Sequence, residues 1–549
     1  MDVAAAAVMT PDRTTSTTAR DSVTVAGWTL VSRITGVLRV VVIGPVLGAT
    51  YFANAFQTSY MLPHLVFTLI AGPVLGMVLV PSVVRAIGAG GEARARQILA
   101  GVSGWLLTIA VVVSALLMIM SPAVAWTLNF GIPDPTSRAR GLWLTTLVVL
   151  LVAPQGVLYA LAHLGMAAQQ AKGRFALAAG GHVVESLILI PAVIFVGWYY
   201  GTGLDIKQVP VGLVVVLAAA STVGVALHAA LQLAGAARVG LMIWPSLRWR
   251  HDSEVRSVTS RLIRSVGVAA WPAAAMYVLL ALAGTVRGGV FVVQLTHTIF
   301  FSLAFISARA VSMAALPALA RAAHSDDAAI FGMQWRQGLS YAVIASLPLL
   351  VLLAVNSGPT AHLLTAGQLR HAALIGPLTI CMAVAAVAQL VSGLHDIARQ
   401  ALFARLDDRT PRRASEVAFG VLVIFSVASL LLPADGSRLV WLVVANLIGD
   451  LVAAGIVLVR LRRAIRPELF VEPRRLAAAL LATCAIVPLA GAVWWTQQIQ
   501  TDDRLANLAL LTLGAAGALG VYIVVFRAVS RRISATPQAA YLVGNAGPG

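Results

Sequence analysis

Two arginines stand in the first long apolar stretch of this sequence. Arg33 and Arg39 are six residues apart in the segment SRITGVLR, residues 32–39. A charged side chain in membrane hydrocarbon costs at least ~2.5–3.5 kcal/mol on insertion scales, so it usually faces a cavity or a partner. A spacing of six places both side chains on one broad side of a helix. Two guanidinium groups there would suit an anionic ligand, although Arg33 could instead extend to a nearby membrane surface.

Three further titratable side chains lie in apolar stretches. His182 and Glu185 are three positions apart and therefore share one helix face. Such a pair could relay a proton or bind a coupling cation, or it could be a buried structural pair. The same alternatives hold for Asp450.

The composition places these residues in a membrane protein. Of 549 residues, 59% are hydrophobic and 11% are charged, and the mean hydropathy is +0.88. Soluble domains carry about 25% charged residues, and apolar runs long enough to span a bilayer as helices recur along this chain. We therefore predict an all-α polytopic membrane protein of about fourteen transmembrane helices. Their predicted bounds are roughly 23–43, 56–84, 98–127, 141–165, 175–200, 211–236, 265–285, 289–319, 338–356, 371–395, 414–433, 438–459, 476–496 and 506–527.

The basic residues predict the topology. Most of the 39 lysines and arginines follow the even-numbered spans, which places both termini in the cytoplasm by the positive-inside rule. This distribution explains the net charge of +18 without nucleic acid.

Two six-helix lobes are predicted as a parallel repeat. Residues 77–86 match residues 313–322 at an offset of 236, and the same offset aligns 172–174 with 408–410. The predicted domains are a disordered tail (1–22), an N-lobe (23–236), a basic cytoplasmic linker (237–264), a C-lobe (265–460), two C-terminal helices (461–532) and a second tail (533–549).

Four motifs resemble the MviN/MurJ lipid II flippases of the multidrug/oligosaccharidyl-lipid/polysaccharide (MOP) exporter superfamily. They are the 32–39 segment, Asn54-Ala55-Phe56, Gly173-Arg174-Phe175, and the loop after span 10 that contains Arg405, Asp408, Thr410 and Pro411. The resemblance covers nearly the whole chain, and the loop after span 10 is its most specific part.

The resemblance implies a function and a site. The substrate would be an undecaprenyl-diphosphate-linked disaccharide pentapeptide, moved from the inner to the outer leaflet by alternating access, with the last two helices forming a lipid groove. Membrane potential or an ion gradient would drive the cycle. Arg33 and Arg39 correspond to the family's two first-span arginines, which makes them the best substrate-binding candidates.

This chain departs from the family pattern at several positions. Val40 stands where the family has an acid after the second arginine, and Thr298 is close to the position of an eighth-span arginine. His64, His297 and Arg309 are candidates to replace the missing cavity charges, although each could equally be a structural residue.

The motifs of enzymes are not found. No phosphate-binding glycine loop, HExxH sequence or cysteine pair occurs, so we expect neither an enzyme nor a cofactor nor a metal site. Expected partners are the lipid-linked precursor, membrane lipids and proteins of cell-wall synthesis and division, in a bacterial cytoplasmic membrane. Two alternatives stay open: a cation-coupled exporter of another substrate from the same superfamily, and a non-transporting scaffold for cell-wall synthesis.

Overall fold

The computed structural model describes residues 12–70, 72–250, 252–324, 328–369, 373–465, 471–499 and 504–535. These residues are almost entirely helical, and no strand occurs among them. The helices are α1 (Asp12–Leu47), α2 (Tyr51–Ile70), α3 (Gly72–Ile119), α4 (Ser121–Asn129), α5 (Pro135–Val152), α6 (Gln155–Ala171), α7 (Ala176–Gly180), α8 (His182–Tyr200), α9 (Val211–Arg238), α10 (Ser253–Ala283), α11 (Gly289–Ile306), α12 (Ala308–His324), α13 (Ala328–Val355), α14 (Ser357–Leu364), α15 (Ile375–Ala404), α16 (Arg409–Ala428), α17 (Gly436–Ile465), α18 (Pro473–Ile499) and α19 (Arg504–Ala535).

Twelve stretches of the described residues are long and apolar enough to cross a membrane, which confirms a polytopic helical membrane protein. Two of the fourteen predicted spans are absent from these twelve. Predicted span 2 corresponds to the described part of α2 and the start of α3, and residue 71 within it lies outside the described residues. Predicted span 7 corresponds to the shorter apolar stretch Ala270–Ala283 within α10. The first half of α10 carries Arg256 and Arg261, so hydropathy is high only over its second half.

The chain forms two compact units. The first comprises the described parts of residues 1–47 and 55–277, and the second those of 48–54 and 278–549. In the first unit, apolar side chains of α3, α6, α9 and α10 form a core in which Leu79, Ile98 and Leu164 are fully buried. In the second unit, α12, α13, α15 and α17 enclose the buried Trp335. Helices α18 and α19 pack on each other, and α19 is tied to α13 where Tyr522 Oη donates to the Ile344 carbonyl at 2.8 Å.

The predicted linker contains an ion-pair network on a non-membrane surface. Arg94 donates to Asp252 at 2.7 Å and to Glu254 at 3.1 Å, just before and within the first turn of α10. The hydrogen bond from Arg94 holds the pKa of the Asp252 carboxyl below its ordinary value. The basic segment is therefore anchored to the start of the second half of α3 rather than free in solution.

Equivalent turns end the fourth helix of each predicted repeat. After α6, Gly173 has a φ of 70° and Arg174 N–H donates to the Gln169 carbonyl. After α15, Leu406 has a φ of 60° and Asp407 N–H donates to the Leu402 carbonyl. Both are left-handed helix C-caps of the Schellman type. Leu406 follows Gly173 by 233 positions, so at this turn the predicted offset of 236 is three residues out of register.

Asn54, in the first turn of α2, ties the start of that helix to the turn before α11 and to the start of α11. Its side-chain amide donates to the carbonyls of Gly284 at 3.2 Å and Val286 at 2.7 Å, and its oxygen accepts from Val290 N–H at 3.2 Å. The side chain is 2% exposed, so water cannot replace these bonds. All four residues belong to the second unit.

We predict that Asn54→Ala destabilises the protein by about 3 kcal/mol, because it leaves several buried backbone groups without partners. The measurement is the free energy of unfolding of the purified protein in mixed micelles, titrated with a denaturing detergent. Gln208→Ala, which removes an exposed amide, serves as the matched control and should stay within about 0.5 kcal/mol of wild type. An Asn54→Ala protein as stable as this control would contradict the role assigned to Asn54.

Candidate functional site

Eight polar side chains from five helices meet inside the first unit, in segments predicted to cross the membrane. We call them the polar cluster. Its members are Arg39 of α1, Tyr60 and His64 of α2, Tyr159 and His163 of α6, His182 and Glu185 of α8, and His228 of α9. Ionisable groups at membrane depth are rare and are usually functional.

Glu185 is the centre of the polar cluster. Its Oε1 lies 2.7 Å from Nδ1 of His228, and its Oε2 accepts a hydrogen bond from Tyr159 Oη at 3.3 Å. The guanidinium of Arg39 lies 4.0 Å from the same Oε2. Glu185 is 9% exposed and His228 is fully buried. A buried carboxylate is thus held by groups from three other helices, which is what a charge outside water requires.

The histidines of the cluster form a continuous set of ring contacts. The ring centroids of His182 and His228 are 4.6 Å apart, and those of His163 and His182 are 6.4 Å apart. The His64 ring meets Tyr159 edge-on at 5.1 Å. Nδ1 of His163 lies 2.9 Å from the Tyr159 carbonyl. Several imidazoles are therefore within reach of one carboxylate.

Glycines let the helices of the cluster approach closely. A Cβ at Gly224 of α9 would lie 3.2 Å from the Glu185 Cα, so the absent side chain permits close packing of α8 and α9. A Cβ at Gly181 would lie 2.5 Å from Nε2 of His228. The same Cβ would lie still closer to Nε2 of Gln232, so any larger residue at position 181 would require the Gln232 and His228 side chains to move.

Arg39 is held loosely. Its guanidinium lies 5.7 Å from the centroid of the Tyr60 ring, and its separation of 4.0 Å from Glu185 is at the outer limit of an ion pair. Its Nε is buried and has no hydrogen-bond partner in the described part of the chain. The guanidinium thus keeps donor capacity for an additional anionic group.

The structure brings four of the sequence-predicted residues together: Arg39, His64, His182 and Glu185. Arg33 lies half-buried on α1, one and a half turns before Arg39. The other two substrate candidates belong to the second unit. There the His297 ring lies 4.5 Å from that of Phe301, and Arg309 is half-buried at the second residue of α12.

The remaining predicted residues have local partners in the second unit. Asp450 accepts from the Asn446 amide at 3.3 Å on α17. In the loop after α15, the Arg405 guanidinium lies 5.5 Å from the Phe331 ring.

The cap of α16 comes from a residue that the sequence motif did not single out. Thr410 N–H and Oγ1 donate to the Asp407 carboxylate at 3.0 and 2.8 Å, whereas Asp408 is exposed and makes no side-chain cap. Pro411 is buried within the first turn of α16. The motif therefore stabilises the start of a helix.

Sequence reasoning missed four members of the polar cluster: Tyr60, Tyr159, His163 and His228. A signal for two of them was present. Four of the ten histidines in the chain lie within predicted spans 2, 4, 5 and 6, all in the predicted N-lobe. An imidazole in each of four neighbouring spans indicates a shared polar site, even before any contact is known.

Comparison with known proteins decides the family. A family model described as lipid II flippase MurJ matches residues 43–513. The chain belongs to the MurJ lipid II flippase family. This confirms the resemblance drawn from the sequence motifs. The match begins after Arg39, so both first-span arginines precede the matched residues.

Solved structures show the same fold. A MurJ lipid II flippase in an inward closed conformation aligns with a TM-score of 0.69 at 14% identity, covering 93% of this chain and 99% of that one. An inward-facing MATE multidrug-resistance transporter of the MOP superfamily aligns with a TM-score of 0.60 at 16% identity, covering 80% and 94%. A MOP-superfamily transporter from Pyrococcus furiosus gives 0.56 at 16% identity, covering 81% and 95%. This protein thus has the fold shared by MurJ and MATE transporters.

Proposed function

We propose that this chain moves lipid II, a polyprenyl-diphosphate-linked peptidoglycan precursor, from the inner to the outer leaflet by alternating access. The observation that carries the proposal is the family match over residues 43–513. The protein acts as a transporter and not as an enzyme, in a bacterial cytoplasmic membrane with both termini in the cytoplasm. The distribution of basic residues supports that orientation.

Arg39 is the residue we assign to the diphosphate. A guanidinium presents a planar set of donors that matches phosphate oxygens. The guanidinium of Arg39 lies 4.0 Å from Glu185, at the outer limit of an ion pair, and its Nε is unpaired. A diphosphate in place of the carboxylate would therefore improve the hydrogen bonding of Arg39. Arg33 and His64 are the further substrate-binding candidates in the first unit, and His297 and Arg309 are the candidates in the second.

His182 with Glu185 in the first unit, and separately Asp450 in the second, are proposed to relay a proton or to bind the cation that couples transport to an ion gradient. Glu185 has partners on three other helices. Binding or release of a cation at Glu185 would therefore change its contacts with α1, α6 and α9 together. Proteins of cell-wall synthesis and division are the protein partners we expect for such a transporter.

Growth rescue in a bacterial host tests the proposed function. The resident lipid II flippase is depleted while this chain is expressed at a verified membrane level. Rescue of growth and cell shape is expected. A well-expressed chain that gives no rescue would overturn lipid II flipping in that host, and would favour an exporter of another substrate or a scaffold of cell-wall synthesis.

A further inference from the structure

The three-residue group of His182, Glu185 and His228 has the composition and spacing of a metal site. Each residue offers one ligand atom, and these atoms all lie within 4.8 Å of one another. Ligands around a tetrahedral zinc ion are about 3.4 Å apart, because zinc bonds to nitrogen and oxygen are about 2.0–2.2 Å long. Small side-chain rotations would close that difference. We propose that these three side chains bind a divalent transition-metal ion of the Zn²⁺ class.

The two helices that carry the ligands are already packed together. His182 and Glu185 share a face of α8, and Gly224 allows α9 to bring His228 beside them. Such a site needs no large backbone movement, since His182 and Glu185 lie in the first turn of α8 and His228 lies within α9, rather than in loops.

An unpaired nitrogen is the second, independent observation. His228 is fully buried, and its Nε2 has no hydrogen-bond partner among the described residues. Buried polar atoms are nearly always paired, and an exception calls for an explanation such as a missing ion. The other ring nitrogen, Nδ1, lies 2.7 Å from Oε1 of Glu185. Because Glu185 is itself one of the three proposed ligands, binding of the ion replaces this contact.

The ligand types select the class of ion. Sodium, magnesium and calcium prefer oxygen ligands, whereas imidazole suits zinc, nickel, copper and iron. Two imidazoles and one carboxylate form a ligand set that binds zinc with one position left open. The His163 ring lies 6.4 Å from that of His182, so His163 is close enough to hydrogen-bond to a fourth ligand at the open position.

Arg39 opposes the metal ion. Its positive charge lies 4.0 Å from Glu185, so it and the metal ion compete for the same carboxylate. Metal binding therefore weakens the hold of Glu185 on Arg39. If the proposed function is right, this frees the guanidinium for the anionic substrate, but the metal site itself does not depend on transport.

The test is metal binding to the purified full-length protein in nanodiscs, with no polyhistidine tag and no lipid II. Titration with Zn²⁺ by calorimetry and with Co²⁺ by visible absorption should report one site per chain and a tetrahedral spectrum. His182→Gln and His228→Gln should each weaken binding at least a hundredfold. His362→Gln, which removes an exposed imidazole of α14, should leave it unchanged. Arg39→Ala should tighten it about tenfold.

A variant that gains a new absorption band distinguishes loss of a ligand from misfolding. His182→Cys should add a thiolate-to-cobalt charge-transfer band while keeping the one-to-one stoichiometry. The proposal is overturned if no Co²⁺ or Zn²⁺ binds at millimolar concentration, or if binding survives in His182→Gln and His228→Gln. Binding with no thiolate band in a folded His182→Cys protein would also overturn it.

Discussion

Replacing Arg39 with alanine is expected to abolish growth rescue and to slow lipid II transport roughly tenfold to a hundredfold. A hydrogen bond to a charged group contributes about 1.5–3 kcal/mol, so losing even one to the diphosphate is enough for this effect. Arg39 is the cluster's guanidinium, and its Nε is unpaired. The measurement is growth of a flippase-depleted host at matched membrane levels of each variant.

Two further variants make the Arg39 prediction specific. Arg39→Lys keeps the charge but loses the planar pair of donors, so it should rescue only in part. Arg238→Ala removes an exposed arginine at the end of α9 and should rescue like wild type. Full rescue by Arg39→Ala would exclude Arg39 from the substrate site.

The second large effect concerns stability. Glu185→Ala is expected to lower the free energy of unfolding by about 3 kcal/mol, because it leaves Arg39 without its carboxylate and His228 without its hydrogen-bond partner. Arg39→Ala alone should cost less, since Glu185 keeps His228 and Tyr159. The measurement is detergent-induced unfolding in mixed micelles.

The change in unfolding free energy when Arg39→Ala is added to Glu185→Ala shows whether the two side chains interact. In a Glu185→Ala background, Arg39→Ala removes a charge that has lost its partner, so it should restore part of the lost stability. Glu416→Ala breaks an exposed pair with Arg412 on α16 and should cost no more than about 0.5 kcal/mol. Strictly additive effects of Glu185→Ala and Arg39→Ala would show that the two residues do not interact.

Much of the fold could be predicted because its signals are local. Hydropathy over a window of about twenty residues detects a span whatever it packs against. It also placed the seventh span on the apolar second half of α10, where the described residues include the shorter apolar stretch Ala270–Ala283.

The site was only half predictable for the same reason. His182 and Glu185 were found together because three residues nearly complete one helical turn. Their partners His228 and Tyr159 lie on other helices, and which residues meet across helices depends on the rotation and depth of each helix. The rotation and depth of each helix are set by close contacts such as the one between Gly224 and Glu185. A single glycine of this kind cannot be recognised from a pattern in the sequence. Likewise, the cap at Asp407 depends on a turn at Leu406 that only the backbone reveals.

Direct transport of lipid II by the purified protein tests the proposed function. The chain is reconstituted into proteoliposomes with fluorescently labelled lipid II, and movement between leaflets is followed as loss of signal to an impermeant quencher. We expect transport well above that of protein-free vesicles, and strongly reduced transport with Arg39→Ala. If a MurJ flippase prepared in parallel transports lipid II and this folded chain does not, the proposed function is contradicted.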